Sequence, residues 1–397
     1  MKNIELLAPA GDWEALEAAA AFGADAVYVG GELLQLRAAK AAFDREKLKN
    51  AAEYLHNRGK RLYVTVNCFA ENGEIEPARE YARFLYSIGV DAVIISDLGV
   101  LRAFGEAAPE LERHVSTQAN CMNYLTAQTY WDMGAKRVVL ARELSLEAIA
   151  ELRAKAPAGL ELEAFVHGAM CMAYSGRCII SSCLTGRSGN RGECAQPCRW
   201  SYRLEEEKRP GEYFPVEEYE NGTAILSSHD LCCIDFLDKI ADAGVCSFKI
   251  EGRMKTAYYV ATAVNAYRRA MDGKDSAENC RAELECLKHR PYASGFYFGE
   301  LKTGHYNDGH YSQTCTFVGR ALDSGDGCVT VEQRNHFKPG DRLEVLSPGD
   351  DIRSFTVTRL WDETGTELDC ARHPRQKVRV ECPFRVAPGA FIRRRDN

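Results

Sequence analysis

Five of the sixteen cysteines in this 397-residue chain fall between Val166 and Cys198: Cys171, Cys178, Cys183, Cys194 and Cys198. The run opens in "VHGAMCMAYSGRC", where glycines and small polar residues separate the thiols and no apolar core pattern is present. Thiols so concentrated can be disulfide halves, metal ligands, nucleophiles or small buried hydrophobes. Cys171, Cys178, Cys194 and Cys198 follow the spacing C-x6-C-x15-C-x3-C. That spacing lacks the paired C-x2-C knuckles that mark a structural zinc site. Irregularly placed thiolates on a glycine-permissive loop suit an iron–sulfur cluster. Spacing alone leaves the other reading open, buried thiols plus one redox or catalytic cysteine. A nucleophilic cysteine needs a base, and His167 stands four residues before Cys171. A lone His beside a Gly at a strand end serves structure as readily as catalysis. HExxH, GxSxG and Walker signatures are all missing.

Composition narrows these choices. A strand-like "IELLAPAG" begins at Ile4, which leaves no room for a basic segment followed by an apolar signal. No uninterrupted apolar run approaches the roughly 18 residues of a membrane span. The expectation is a cytoplasmic protein without membrane contact, where disulfides are rare and dense cysteines bind metal or do chemistry. The net charge of −7 argues against a basic coat, though not against a local basic patch. The other eleven cysteines, among them Cys68, Cys246 and Cys370, are spread through apolar patterns, and most of them read as buried small residues.

The elements that must hold the thiols follow one repeated grammar. "GADAVYVG", "GVDAVIIS", "GAKRVVLA" and "GVCSFKIEG" each place a Gly at a helix end before a continuous apolar run. Continuous apolar runs are strands buried on both faces, hence parallel strands under helices. Eight such runs occur, at 4–8, 25–29, 61–66, 91–96, 113–117, 136–141, 160–166 and 246–250. With amphipathic stretches such as "REKLKNAAEYLHNRG" between them, they predict a (β/α)8 barrel of the TIM type over residues 1–275. An insertion from about His167 to Ser228 carries the cysteine run, then the charged "EEEKRPGEYFPVEEYENG". Loops after barrel strands build the active face, so the insertion is expected over the mouth. An aromatic and Gly-rich linker covers 276–313. From Thr314 short alternating runs such as "CTFVGRAL" and "KVRVECP" predict a small all-β barrel over 314–397.

"EAFVHGAMCMAYSGRCIIS" resembles the signature of peptidase family U32, the collagenase-like group, E-x-F-x2-G-A-M-C-x4-G-x-C-x-I-S. "ELLAPAGDWEAL", "ECAQPCRW", "SFKIEGRMK" and "RPYASGFYFG" are similar to that family too. The resemblance extends into the β-rich tail and is strongest to the long branch required for prephenate-dependent hydroxylation of the tRNA wobble uridine. It implies oxygen-independent hydroxylation, a [4Fe–4S] cluster on Cys171, Cys178, Cys194 and Cys198, and prephenate as co-substrate. Cys183, Cys232 or Cys233 could replace one of those ligands. A related family member as partner protein is also implied. Proteolysis is the older label of the family, so a thiol- or metal-dependent peptidase is one alternative. A zinc-stapled RNA-binding protein is another.

Polar residues just past the apolar strands supply the remaining site candidates: Asn67, Gln118, Arg142, Glu143, His167, Glu251, Arg253 and Lys255. His167, Glu251, Asn67 and Gln118 are the candidates for catalysis. A planar guanidinium fork matches a carboxylate better than any other side chain. Arg142 and Arg253 are therefore expected to bind the small dicarboxylate, with Lys255 beside them. The plainer alternative pairs Arg142 with Glu143 and Glu251 with Arg253 at the rim. For tRNA, the tail holds the basic surplus. From Tyr311 onward 14 Lys and Arg face 13 Asp and Glu, leaving −8 for the rest of the chain. Basic residues crowd its end at Arg372, Arg375, Lys377, Arg379, Arg385 and Arg393 to Arg395. Arg375, Lys377 and Arg379, on alternating strand positions, are the candidate phosphate contacts.

Overall fold

The computed structural model describes residues 4–36, 43–171, 180–187, 189, 192–200, 218–219, 222–223, 229–299 and 311–396. Seven strands alternate with helices along the first part of the chain. They are β1 (Glu5–Pro9), β2 (Ala26–Gly30), β3 (Arg61–Val66), β4 (Ala92–Ile95), β5 (Glu112–Val115), β6 (Arg137–Val139) and β7 (Glu161–Ala169). The helices between them are α1 (Trp13–Ala21), α2 (Arg45–His56), α3 (Ile75–Ser87), α4 (Leu98–Ala107), α5 (Tyr124–Asp132) and α6 (Leu146–Lys155). Side-chain caps start most of them: Asp12, Asp44, Asp97, Asn123 and Ser145 each accept a backbone N–H of the first turn. The Gly that closes each repeat unit ends its helix left-handed, as at Gly23 with φ +107°.

The insertion after β7 contains α7 (Ile180–Thr185) and a short antiparallel pair, β8 (Glu218–Tyr219) and β9 (Gly222–Thr223). The chain returns through β10 (Asp230–Cys232) and α8 (Leu237–Asp242) to β11 (Ser247–Ile250). β11 pairs parallel with both β7 and β1, so eight parallel strands close into a barrel. All eight expected runs are strands of this barrel. β10 lies antiparallel on the end of β7, and β12 (Tyr292–Ala293) extends the sheet beside it. α9 (Ala257–Met271) and α10 (Ala277–Leu284) complete the outer layer. Among the described residues no helix is long and apolar enough to cross a membrane.

The tail forms a second layer with its own core of Val318, Val329, Val331, Leu343, Val378 and Val380. Its strands are β13 (Cys315–Gly325), β14 (Cys328–Gln333), β15 (Arg342–Leu346), β16 (Arg353–Thr356), β17 (Leu360–Trp361), β18 (Lys377–Glu381) and β19 (Phe391–Arg395). They make one antiparallel sheet in the order β16-β15-β19-β13-β14-β18-β17. With β16 and β17 as edges, this is a half-barrel. It packs on the helical layer, where Phe317 stacks on Tyr258 at 4.9 Å and Phe391 joins the barrel's own core. Fully buried Arg393 bridges Glu283 of α10 and Glu344 of β15, both at 2.8 Å. Arg320 reaches Glu17 of α1 at 3.0 Å. Arg393, Arg394 and Arg395 are therefore strand residues in ion pairs with Glu283, Glu344 and Asp341, not a loose basic tail.

Candidate active site at the barrel mouth

The lumen has two unlike halves. On the β1–β4 side it is filled by Leu7, Ala26, Tyr28, Tyr63, Ala92 and Ile94. Where Glu5 of β1 meets β6, β7 and β11 it is charged. Arg137 donates to Glu5 at 2.5 Å, to Glu163 at 3.0 Å and to Glu161 at 2.7 Å. Ser247 bridges Glu5 and Glu163, and Lys249 donates to Glu163 at 2.8 Å. Burial alone would raise the Glu163 carboxyl, but the charges of Lys249 and Arg137 outweigh it and hold it at about 2. Barrel interiors are usually layers of branched aliphatic residues. Here an ion network fills the N-terminal half of the lumen.

Above that network lies the mouth. Arg142 lies 3.9 Å over the Phe165 ring and donates from Nη1 to the Ala169 carbonyl at 2.9 Å. Its Nη2 is 3.6 Å from Glu251, and its buried Nε has no hydrogen-bond partner. Rim pairing therefore does occur, but crosswise between β6 and β11, joining Arg142 to Glu251. Arg253 is turned the other way. It donates to Thr65 Oγ1 at 2.7 Å, to Gln35 Oε1 at 3.0 Å and to the Leu36 carbonyl. Asn67 accepts the Leu36 N–H at 3.1 Å and donates to Gln118 at 3.3 Å. Arg253 and Asn67 thus hold the Leu36 peptide from both sides. Lys255 reaches the Lys288 carbonyl at 3.4 Å and lies over Tyr259, apart from the two arginines. The structure so joins Arg142 with Glu251, and Arg253 with Asn67 and Gln118. Gln35, Thr65 and Phe165 are partners that the sequence reading did not single out.

His167 is not at the mouth. The β7–β11 register slips between Lys249 and Ile250, so that Ile250 pairs with His167 and Val166 bulges. The slip changes which face His167 presents. Its ring packs among Tyr259, Tyr267 and Tyr292 at 5.4 to 5.8 Å, with 1% of the residue exposed. Burial pushes its pKa down to about 3. Gly168 follows with φ +107°, where a Cβ would lie 2.5 Å from the Glu251 carbonyl oxygen. A base for Cys171 is thereby turned into the protein interior.

The cysteine run leaves the barrel at the end of β7 and returns beside it, since the Met170 N–H meets the His229 carbonyl at 3.4 Å. Cys171 and Cys183 are exposed, Cys194 and Cys198 half-buried, and none of these four is in a disulfide. Cys178 lies outside the described residues. The Cys194 sulfur accepts the Gln196 N–H at 3.4 Å, a contact of the type that tunes cluster sulfurs. α7 braces this stretch, with Ser181 Oγ accepting the Ala195 N–H at 3.0 Å. Among the described residues no three ligating side chains already converge on one point. The donor chemistry, soft thiols on a loop, fits an iron–sulfur cluster. Cys232 and Cys233 are buried and far less accessible than that set.

On the half-barrel Lys377 and Arg379 point outward while Val378 and Val380 point inward. Arg375 is exposed at a turn with φ +62°. Lys377 has a weak partner in Glu363 at 3.6 Å.

Comparison with known proteins bears on this geometry. Residues 11–307 match peptidase family U32, and residues 313–393 match the peptidase family U32 C-terminal domain. The chain is 37% identical to "tRNA hydroxylation protein P1" of Bacillus subtilis strain 168, across 99% of this chain and 95% of that protein. It is 35% identical to "tRNA hydroxylation protein P" of Escherichia coli K12, across 92% of this chain and 91% of that one. Over 68% of its length it is 39% identical to "23S rRNA 5-hydroxycytidine C2501 synthase" of the same organism, covering 39% of that protein.

Proposed function

The chain belongs to peptidase family U32, and from that premise we propose that it is an RNA-modifying enzyme that hydroxylates the wobble uridine of tRNA, using prephenate and no molecular oxygen. The names of its relatives support RNA hydroxylation as the reaction class. The observation that carries the reading is the junction at the end of β7. There a polar mouth with an unsatisfied guanidinium N–H adjoins an excursion of exposed and half-buried thiols. Arg142, stiffened by Phe165 and Ala169, offers its guanidinium to a substrate carboxylate. A carboxylate arriving there competes with Glu251 for the guanidinium, which leaves Glu251 available to exchange a proton. Arg253 and Asn67 set the loop after β2, and Gln118 orients the Asn67 amide. Cys171, Cys178, Cys194 and Cys198 would hold a [4Fe–4S] cluster, which when bound supplies electron transfer or Lewis acidity. Arg375, Lys377 and Arg379 serve the tRNA backbone, in a protein of the cytoplasm. A thiol peptidase would need a base beside Cys171, and His167 is enclosed by three tyrosines instead.

The test is an anaerobic preparation assayed for iron, sulfide, zinc and thiolate-to-iron absorption. Cys178→Ser is expected to abolish the absorption, and Cys280→Ser, at a buried position in α10, to leave it intact. A wild-type protein that holds zinc and no iron overturns the cluster reading.

A further inference from the structure

One side chain ties both feet of the cysteine excursion to the barrel. Arg290 belongs to the "RPYASGFYFG" segment, which the mouth chemistry leaves without a role. Its guanidinium is 2% exposed and is paired with the equally buried Asp230, Nη2 to Oδ1 at 2.7 Å and Nε to Oδ1 at 2.9 Å. The same Nη2 donates to the Met170 carbonyl at 3.2 Å and to the His229 carbonyl at 3.3 Å. Met170 immediately precedes Cys171, and His229 immediately precedes β10 on the return path. The Asp230 N–H in turn meets the Pro291 carbonyl at 3.1 Å, so Arg290 and Asp230 lock β12 to the same point. A planar fork can meet a carboxylate and two carbonyls at once, which the single ammonium of Lys cannot do in fixed geometry.

We propose that Arg290 is a positioning residue that clamps the departing and returning strands of the excursion and thereby fixes Cys171 for cofactor assembly. The clamp itself follows from the hydrogen bonds; its consequence for assembly rests on the cluster reading above. An ion pair buried only to stabilise the barrel would be replaceable by apolar or neutral groups of similar size at little cost. For a clamp the fold would tolerate the same replacement, but the two feet would loosen, because neutral replacements cannot hold the two carbonyls.

Two variants separate these cases, Arg290→Lys and the charge-neutral pair Arg290→Met with Asp230→Asn. Each is prepared anaerobically as the full chain and compared with wild type for melting temperature, iron and sulfide content, and amide hydrogen exchange. The expected result is a double variant that melts close to wild type. Peptides spanning Gly168–Cys171 and His229–Leu231 exchange about tenfold faster or more, as loss of two hydrogen bonds implies. Exchange in β3 stays unchanged, and iron is lost to a chelator faster in both variants. Unchanged exchange at the two feet in a folded double variant overturns the clamp, as does a uniform acceleration across the barrel. Faster exchange at the feet with undiminished iron retention overturns the link to assembly. A wild-type chain that holds no iron removes that link also, and the exchange data then decide the clamp alone.

Discussion

His167 converts the dryness of the layer between β7 and α9 into a pH dependence. Tyr259 and Tyr267 of α9 and Tyr292 of β12 surround the imidazole, with Cys232 nearby. Burial is the main cause of its pKa near 3; Asp230 works against it, and Lys255 and His289 add to it. The folded protein therefore keeps this group neutral, while the unfolded chain protonates it near 6.5. Below that value the unfolded state binds the extra proton, so stability falls with pH until the folded form also protonates near 3. Each pH unit within the window costs about 1.4 kcal/mol, and the step from pH 7.5 to 5.0 costs about 2 kcal/mol from this group. Staying above pH 5 keeps the lowered carboxyls of Glu163 and Glu5 out of the measurement, because their contribution fades only below the ordinary carboxylate range. The assay is urea unfolding of wild type and His167→Phe at both pH values. Phe fits the same aromatic surroundings and does not titrate. His114, also pushed down by burial, titrates in both proteins and cancels in the comparison. The wild type should lose about 2 kcal/mol more than the variant over this step. Equal losses in the two proteins would refute the claim that the folded chain holds His167 neutral and dry.

Three further outcomes follow from the same geometry. Arg137→Met leaves Glu5 and Glu163 without their shared cation and should cost about 3–5 kcal/mol in chemical denaturation; a loss below about 1 kcal/mol would mean that the network is not a stabilising one. Arg142→Gln, with its cluster absorption intact, should weaken prephenate binding about ten- to a hundredfold, and Arg253→Ala should weaken it through the Leu36 loop. Normal affinity in both would remove the arginines from the substrate site. Replacing Arg375, Lys377 and Arg379 with Gln should weaken tRNA binding and flatten its salt dependence by up to about 0.7–0.9 in log–log slope per lost contact; an unchanged slope removes these three residues from the RNA site.

The architecture was legible because it depends on local pattern. Eight apolar runs ending in turn signals are visible in the chain, and each is a strand. The thiol excursion was legible too, as an interruption of that rhythm. What alternation could not convey was parity after a slip. A single bulged residue at Val166 moves His167 from the expected mouth to the aromatic layer, and no spacing rule records it. The partners of charged residues were hidden for a different reason. Arg137 and Glu5 are 132 positions apart, and Arg393 and Glu283 are 110. Only closure of the barrel and docking of the half-barrel bring them together. The isolated Lys249 inside "SFKIEG" and Glu163 inside "ELEAF" were the available signal. A charge within an otherwise apolar parallel strand has to find a counter-charge in the lumen.

That lumen bears on the mouth directly, because the two share strands. Residues two apart on a strand face the same way, so β11 presents Ser247 and Lys249 to the ion network and leads at once into Glu251. β7 presents Glu163 to the network and Phe165, which carries Arg142, one step higher. Arg137 begins the same β6 segment that ends beside Arg142. The network thus fixes the relative height of β1, β6, β7 and β11, and with it the 3.6 Å separation of Arg142 and Glu251. An aliphatic filling would hold these strands together but would tolerate small slips, because dispersion contacts lack direction. Hydrogen-bonded ion pairs do not tolerate them. The charged floor therefore does more than replace an apolar core: it sets the register on which the mouth geometry depends. Arg137→Met should accordingly lower prephenate affinity, which a stability loss alone, below the melting transition, would not do.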